Sequence, residues 1–176
     1  MRNITILGIS GSLRADSTNT LILKTLADFF PGHVTFHIFE GLDAIPHFSP
    51  GAPENEGVIQ FKTAIRQADG VVICTPEYAF GVPGTLKNAL DWTVSTGDLN
   101  DKPVSAISAS PLNTGGDKAL ASLLLTLTAL GTLRNDDSSL SIPNIKLKIN
   151  DLQQIADAPT LIALKAQCTN LLKIIG

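Results

Sequence analysis

The chain has 176 residues, 44% apolar and 16% charged, with a formal charge of −3. These values fit one α/β domain over residues 1–176 and exclude a disordered chain, while the acidic balance excludes generic nucleic-acid binding, which needs a basic surface. The opening apolar run from Ile4 to Leu7 is too short for a signal peptide and the stretch Ala119 to Leu133 too short for a membrane span, so a cytoplasmic protein with no membrane and no nucleic acid as partner is expected.

Ile4 to Ile9 reads as a buried strand, followed by a helix over Asn19 to Phe30 with apolar positions at Leu21, Ile22, Leu26, Phe29 and Phe30. Val34 to Phe39 is a second strand. Gly41 to Gly57, with Pro46, Pro50 and Pro53, is a loop long enough to be functional or to cover an interface. A helix over Val58 to Ala68, a strand over Gly70 to Cys74, a helix over Leu86 to Val94 and a strand over Val104 to Ser108 follow. The helix Ala119 to Leu130 comes next, then a short fifth strand within Leu133 to Leu140 and a closing helix over Leu161 to Ile175. The first, third and fourth strands are nearly continuous apolar runs, as in a parallel sheet covered on both faces. Strands alternating with helices predict a doubly wound α/β sheet of five strands, in the flavodoxin-like order 2-1-3-4-5 with helices on both faces.

The helix Ala119 to Leu130 is apolar nearly all round, whereas a helix on the outside of a sheet keeps a polar face. A second copy of the chain is expected to cover it, most simply in a twofold homodimer; burial beneath neighbouring helices of the same domain is the alternative.

In a sheet of this order, ligands bind beyond the carboxyl ends of the strands, near the switch between strands one and three. Three loops converge there. The first, Gly8 to Asn19, offers Ser10, Ser12, Ser17, Thr18 and Asn19 as donors, the Arg14 guanidinium, and Gly11 to let the backbone turn, all at a helix amino terminus. Unpaired N–H groups and partial positive charge make such a terminus a phosphate cradle. A plain turn capped by Ser17 or Thr18 explains one hydroxyl, not five donors and an arginine. The second loop, Thr75 to Trp92, combines stiffening prolines, permissive glycines and the flat side chains of Tyr78 and Phe80, which suits a planar heterocycle. Lys87 and Asp91 form an i,i+4 surface pair, and Trp92 reads as core or interface. The third loop, Ser108 to Asp117, is built of small residues, among them Gly115, that leave room beside a ring, with Ser110 as a donor.

Other phosphate and catalytic patterns fail. The chain has no Gly-Lys-Ser/Thr, Gly8 and Gly11 have the wrong spacing for GxGxxG, and Ser12 stands where a serine nucleophile elbow needs glycine. His33, His37 and His47 all precede the third strand, and no carboxylate or cysteine joins them at metal-ligand spacing. Cys74 and Cys168 read as reduced core residues. No catalytic side chain and no metal ligand are identified.

Gly11-Ser12-Leu13-Arg14 with Ser17 and Asn19, then Pro76-Glu77-Tyr78, Pro83-Gly84 and Leu86-Lys87-Asn88-Ala89-Leu90-Asp91-Trp92, resemble the NAD(P)H-dependent FMN reductase family of quinone, chromate and azo reductases. The resemblance implies noncovalent FMN, with its phosphate held by Ser12 through Asn19, Leu13 included, its ring or ribityl contacted by Pro76, Glu77, Tyr78 and Ala79, and Ser110 approaching from the third loop. It also implies a dimer or tetramer with the flavin near a subunit interface. The family usually has Asn where this chain has Ala79, so a side-chain contact is lost there. The expected activity is hydride transfer from NADPH or NADH to FMN, then electron transfer to a small acceptor. An FMN-binding electron carrier that does not react with NAD(P)H is the alternative.

Overall fold

In the computed structural model, which describes residues 2–176, the apolar runs become the centre of a parallel sheet. The elements in chain order are β1 (Ile4–Ser10), α1 (Thr18–Ala27), β2 (Val34–Ile38), α2 (Glu56–Gln67), β3 (Gly70–Thr75), α3 (Gly84–Asp91), β4 (Val104–Ala109), α4 (Asp117–Ala129), β5 (Ser139–Ile142) and α5 (Ala158–Ile175), with short 3-10 turns at Leu42–Ala44 and Ile145–Lys148. Strand order is β2-β1-β3-β4-β5, and every pairing is parallel, with Ile6 opposite Gly70 and Ile73 opposite Ala106. The expected sheet is the observed one.

Alternate residues of the strands feed two cores. Leu7, Ile9, Val71, Ile73, Val104 and Ala106 pack under α2, α3 and α4. Ile4, Ile6, Val72, Cys74, Ile107 and Ala109 pack under α1 and α5. Every residue of β3 and β4 is buried, whereas the edge strand β2 alternates half-buried with exposed, as its single neighbour requires. Side-chain caps start α1 (Ser17), α2 (Asn55) and α5 (Asp157), each satisfying an otherwise orphaned N–H.

Several boundaries differ from the sequence reading, most in four elements. Helix α1 stops at Ala27 rather than Phe30, because Pro31 disfavours helix at the residue before it; Phe30 instead stacks on Phe36 of β2, with ring centroids 5.6 Å apart. Helix α3 starts at Gly84 and ends at Asp91, short of Val94. Helix α5 starts three residues early, at Ala158 behind its Asp157 cap. The fifth strand is Ser139–Ile142, not Leu133 to Leu140. Asn135 accepts the N–H of Asp137 at 3.1 Å and bonds the Ser138 hydroxyl at 2.9 Å, so local side-chain bonds hold Asn135 to Ser138 in a turn and delay the strand.

Helix α4 buries Ala119, Leu120, Leu123 and Leu127. Its other side presents Ala121, Ala129 and Leu125, the last 74% exposed. The neighbouring helices therefore do not cover that face, and intrachain burial fails as its explanation.

The long loop between β2 and α2 is pinned from α3. Asn88 Oδ1 accepts the N–H of Phe48 at 2.8 Å, Asn88 Nδ2 donates to the carbonyl of Pro46 at 2.9 Å, and Trp92 Nε1 donates to the same carbonyl at 2.8 Å. The Trp92 indole is buried and meets Phe48 edge-on, while Lys87 and Asp91 pair on the surface at 2.6 Å. The Lys-Asn-Ala-Leu-Asp-Trp run thus works structurally, fastening a loop. Asn88→Ala is expected to cost about 1–3 kcal/mol of unfolding free energy by stranding the Phe48 N–H and removing one of two donors to the Pro46 carbonyl, read from urea unfolding followed by Trp92 fluorescence.

Candidate functional site

The site is built where β1 and β3 end side by side. The N–H of Gly11 donates to the carbonyl of Cys74 at 2.8 Å. A β-carbon on Gly11 would lie 3.0 Å from Thr75 Oγ1 and from Leu86 Cδ2. The chain bends at this glycine, as expected; its φ is not positive, and what the missing side chain permits is the close approach of the first loop to the second.

From Gly11 the chain passes into α1. Ser17 is the N-cap, accepting the N–H of Asn19 at 3.2 Å and of Thr20 at 3.5 Å. Ser10, expected to face a ligand, turns away: its oxygen accepts the Thr20 hydroxyl at 3.0 Å. Ser12 Oγ accepts the N–H of Arg14 at 3.4 Å, which leaves its own proton to donate. The hydroxyl of Thr18 and the Nδ2 of Asn19 take no partner among the described residues. Arg14 is not free. Its guanidinium forks onto Asp16, with Nε and Nη2 at 3.2 and 3.0 Å from Oδ1 and Nη2 at 2.9 Å from Oδ2. Hydrogen bonding to Arg14, then its charge, holds the Asp16 carboxyl below the ordinary range, with a small further pull from Lys146. Two residues apart on an exposed loop, these groups neutralise one another.

The loop after β3 forms a tight reversal. Tyr78 and Gly81 exchange both backbone bonds, at 3.1 and 3.0 Å, and the two residues between them are left-handed, Ala79 at φ 50° and Phe80 at φ 61°. This is the geometry of a type I′ turn, which favours Asn-Gly. Here it is held by two residues with a β-carbon, so the loop stores strain. Phe80 is 78% exposed and Tyr78 is also exposed, so neither belongs to the core. Glu77 has a role the sequence did not disclose. Its Oε2 accepts the N–H groups of Lys118 and Ala119, both at 3.0 Å, capping α4, whose own N-cap Gly116 has no side chain. One carboxylate thus locks the second loop to the third.

In the third loop, Ser110 Oγ accepts the N–H of Leu112 at 3.1 Å. Gly115 has φ 65°, and a β-carbon there would strike Ser141 Oγ, so it is packed against β5 and does not face the cleft.

These loops enclose a cleft of about 520 Å³. Ser12, Arg14, Ser17, Thr18, Asn19, Pro76, Glu77, Tyr78 and Ser110 line it, as expected. Ser10, Leu13, Ala79 and Gly115 do not; Leu13 opens onto a neighbouring hollow with Leu42 and Pro46. The far wall was missed: Lys146, Ile149, Asn150, Asp151 and Gln153 come from the segment after β5. Backbone bonds from Asn144 N–H to Leu112 and from Ile145 N–H to Ser110, both 3.0 Å, fix that segment on the third loop. Every segment leaving a parallel strand starts at this end of the sheet, so a polar run directly after β5 was the available signal.

The NADPH-dependent FMN reductase family matches residues 4–146. A quinone reductase of Escherichia coli is 36% identical over 134 residues, 71% of either chain. An NADPH azoreductase of a Bacillus species is 33% identical over 122 residues, covering 69% of this chain and 67% of the other. Among solved structures, the flavoenzyme NAD(P)H:(acceptor) oxidoreductase FerB of Paracoccus denitrificans superposes with a TM-score of 0.85 at 28% identity, over 98% of this chain and 97% of that one.

The strained turn yields a stability test. Phe80→Gly is expected to raise the unfolding free energy by about 1 kcal/mol, because glycine adopts positive φ without penalty and the exposed ring gives up no core packing. Thermal denaturation of the two proteins measures it; an unchanged or lower midpoint would exclude strain at this turn.

Proposed function

The chain belongs to the family of NADPH-dependent FMN reductases, and from that premise we propose that the cleft between the β1, β3 and β4 loops and the segment after β5 is its FMN site. The protein is an FMN-dependent NAD(P)H oxidoreductase that reduces a small acceptor. The observation that carries the site assignment is a set of free donors at the start of α1, namely Ser12, Thr18 and Asn19, in the same cleft as the exposed Tyr78 ring.

The residues present suit the cofactor. A phosphate fits the α1 end, where donors and the helix dipole converge on an anion. A flat ring fits the other end, against Pro76, Tyr78 and Ala109, with Ser110 and the β3 loop backbone at its edge. The cleft is within the usual range for small-molecule sites. FMN, when bound, supplies the redox chemistry, accepting hydride from the nucleotide and passing electrons on. The protein holds and orients it: Glu77 keeps the second and third loops in register, Gly11 brings the first against the second, and the exposed Tyr78 and Phe80 leave a face open to nucleotide and acceptor in turn. No side chain is assigned to proton transfer. A family of reductases, rather than of carriers, favours this reading over an electron-transfer module without NAD(P)H activity.

We also infer that the protein works as a homodimer or tetramer, supported by the outward face of α4, Ala121, Leu125 and Ala129, which nothing in the chain covers. The two cysteines are buried and unpaired, with the Cys168 thiol pushed up to about 12 by burial. That agrees with a reducing, cytoplasmic setting. No helix among the described residues is long and apolar enough to cross a membrane.

The activity is tested by visible absorption of purified protein mixed with FMN and desalted, before and after anaerobic NADPH or NADH. A retained flavin spectrum that bleaches is expected. Retained flavin that stays oxidised with either nucleotide would reinstate the carrier, and no retained flavin would remove the site. Arg14 gives a second test. Asp16→Asn frees its guanidinium and is expected to tighten FMN about two- to fivefold, while Arg14→Ala weakens it by a similar factor, as for exposed charges. Titration of flavin fluorescence reads both; unchanged affinity in both variants would place the phosphate away from Arg14.

A further inference from the structure

Asn19 is the second residue of α1, 3% exposed, and lines the cleft. Its amide has two ends of the same shape and opposite hydrogen-bonding sense: Oδ1 only accepts, Nδ2 only donates. Which end faces the cleft decides whether the side chain attracts or repels an anion there. Nothing in α1 settles it, since Ser17 engages only the backbone N–H of Asn19.

The deciding contact comes from the sheet. Cys74, fully buried near the end of β3, faces α1 and α5, and its Sγ lies 3.3 Å from Asn19 Oδ1. It has no disulfide partner and lies outside the cleft wall. A thiol in this setting stays protonated, because burial without a nearby cation disfavours the thiolate. It therefore keeps a proton to donate, and the contact it makes is with Oδ1, the acceptor end of the amide. The opposite end, Nδ2, has no partner among the described residues. No fully buried side-chain nitrogen or oxygen among the described residues lacks a partner, so Nδ2 reaches the cleft.

We propose that Cys74 is a positioning residue for the cofactor: its S–H holds Asn19 Oδ1 against β3 and so turns the Asn19 NH2 group to donate to the FMN phosphate. The proposal rests on the phosphate lying at the start of α1. With the thiol replaced by an apolar group, the amide is free to rotate and spends part of its time with Oδ1 toward the anion, where two acceptors oppose each other. A hydroxyl at position 74 restores the donor.

Equilibrium dialysis of the purified protein against FMN, and separately against riboflavin, which lacks the phosphate, tests this. Cys74→Val, which stays apolar at the cost of one added methyl and removes the donor, is expected to raise the FMN Kd about three- to tenfold while the riboflavin Kd holds. Cys74→Ser should stay within about twofold of the parent for both ligands. Cys74→Ala repeats the donor loss without added branching, should the valine variant fold poorly. Equal weakening of FMN and riboflavin would mean that Cys74 acts through packing alone. A Ser variant as weak as the Val variant, or a Val and an Ala variant as tight as the parent, would likewise overturn the proposal. Asn19→Ala separates the underlying reading: it should lower the preference for FMN over riboflavin about several-fold, as for one lost donor. Full preference retained there would show that Asn19 does not touch the phosphate, a failure distinct from that of Cys74.

Discussion

The contact between Gly11 and the end of β3 governs the geometry of the whole site. Two parallel strands adjacent in a sheet send their chains off together, and here the first loop touches the second through a backbone bond with no space for a side chain between them. That closeness aligns the start of α1 with the Pro76 to Tyr78 segment. It also sets Cys74 opposite Asn19, and Thr75 and Pro76 beneath the turn into α1. A side chain at position 11 would press on Thr75, Leu86 and Pro76, which would have to give way by a few tenths of an ångström.

The remaining contacts stiffen this arrangement from outside. Glu77 caps α4 across two loops. Asn88 and Trp92 clamp the long loop after β2 onto α3. Bonds from Asn144 and Ile145 hold the segment after β5 to the third loop. Each fastening joins segments distant in sequence but neighbouring at the carboxyl end of the sheet, where the site needs precision. Strain is left to the Tyr78 to Gly81 turn, whose exposed side chains are the ones that would meet an acceptor. With Ala79 and Phe80 in left-handed conformations, backbone groups rather than a side-chain amide are what this turn offers a ring.

Charge is distributed with comparable economy. The loop richest in donors carries one arginine, and that arginine is matched by an aspartate two residues on. Attraction for an anion therefore comes mainly from the helix terminus, from neutral donors and from Lys146 on the opposite wall, which accords with an overall charge of −3. Neutral donors discriminate by direction, so their orientation matters as much as their number.

The sheet, its order and most of the cleft-lining residues were legible in the amino-acid sequence. Continuous apolar runs identify strands buried on both faces, and the donor-rich turn before α1 marks the wall of the cleft proposed to hold an anion, because both signals are local and arise from burial and backbone chemistry alone. The late start of β5 was not legible, since the bonds of Asn135 that hold the preceding turn compete with strand pairing on nearly equal terms. Nor was the second life of the site residues. That Ser10 turns inward to Thr20, that Arg14 is held by Asp16, that Glu77 caps a helix forty residues on, and that Cys74 meets Asn19 are facts about which side chains become neighbours after the chain has folded. A sequence states what each group can donate or accept; only the tertiary structure assigns its partner, because hydrogen bonds are short and directional and the groups that satisfy one another come from segments far apart in the chain.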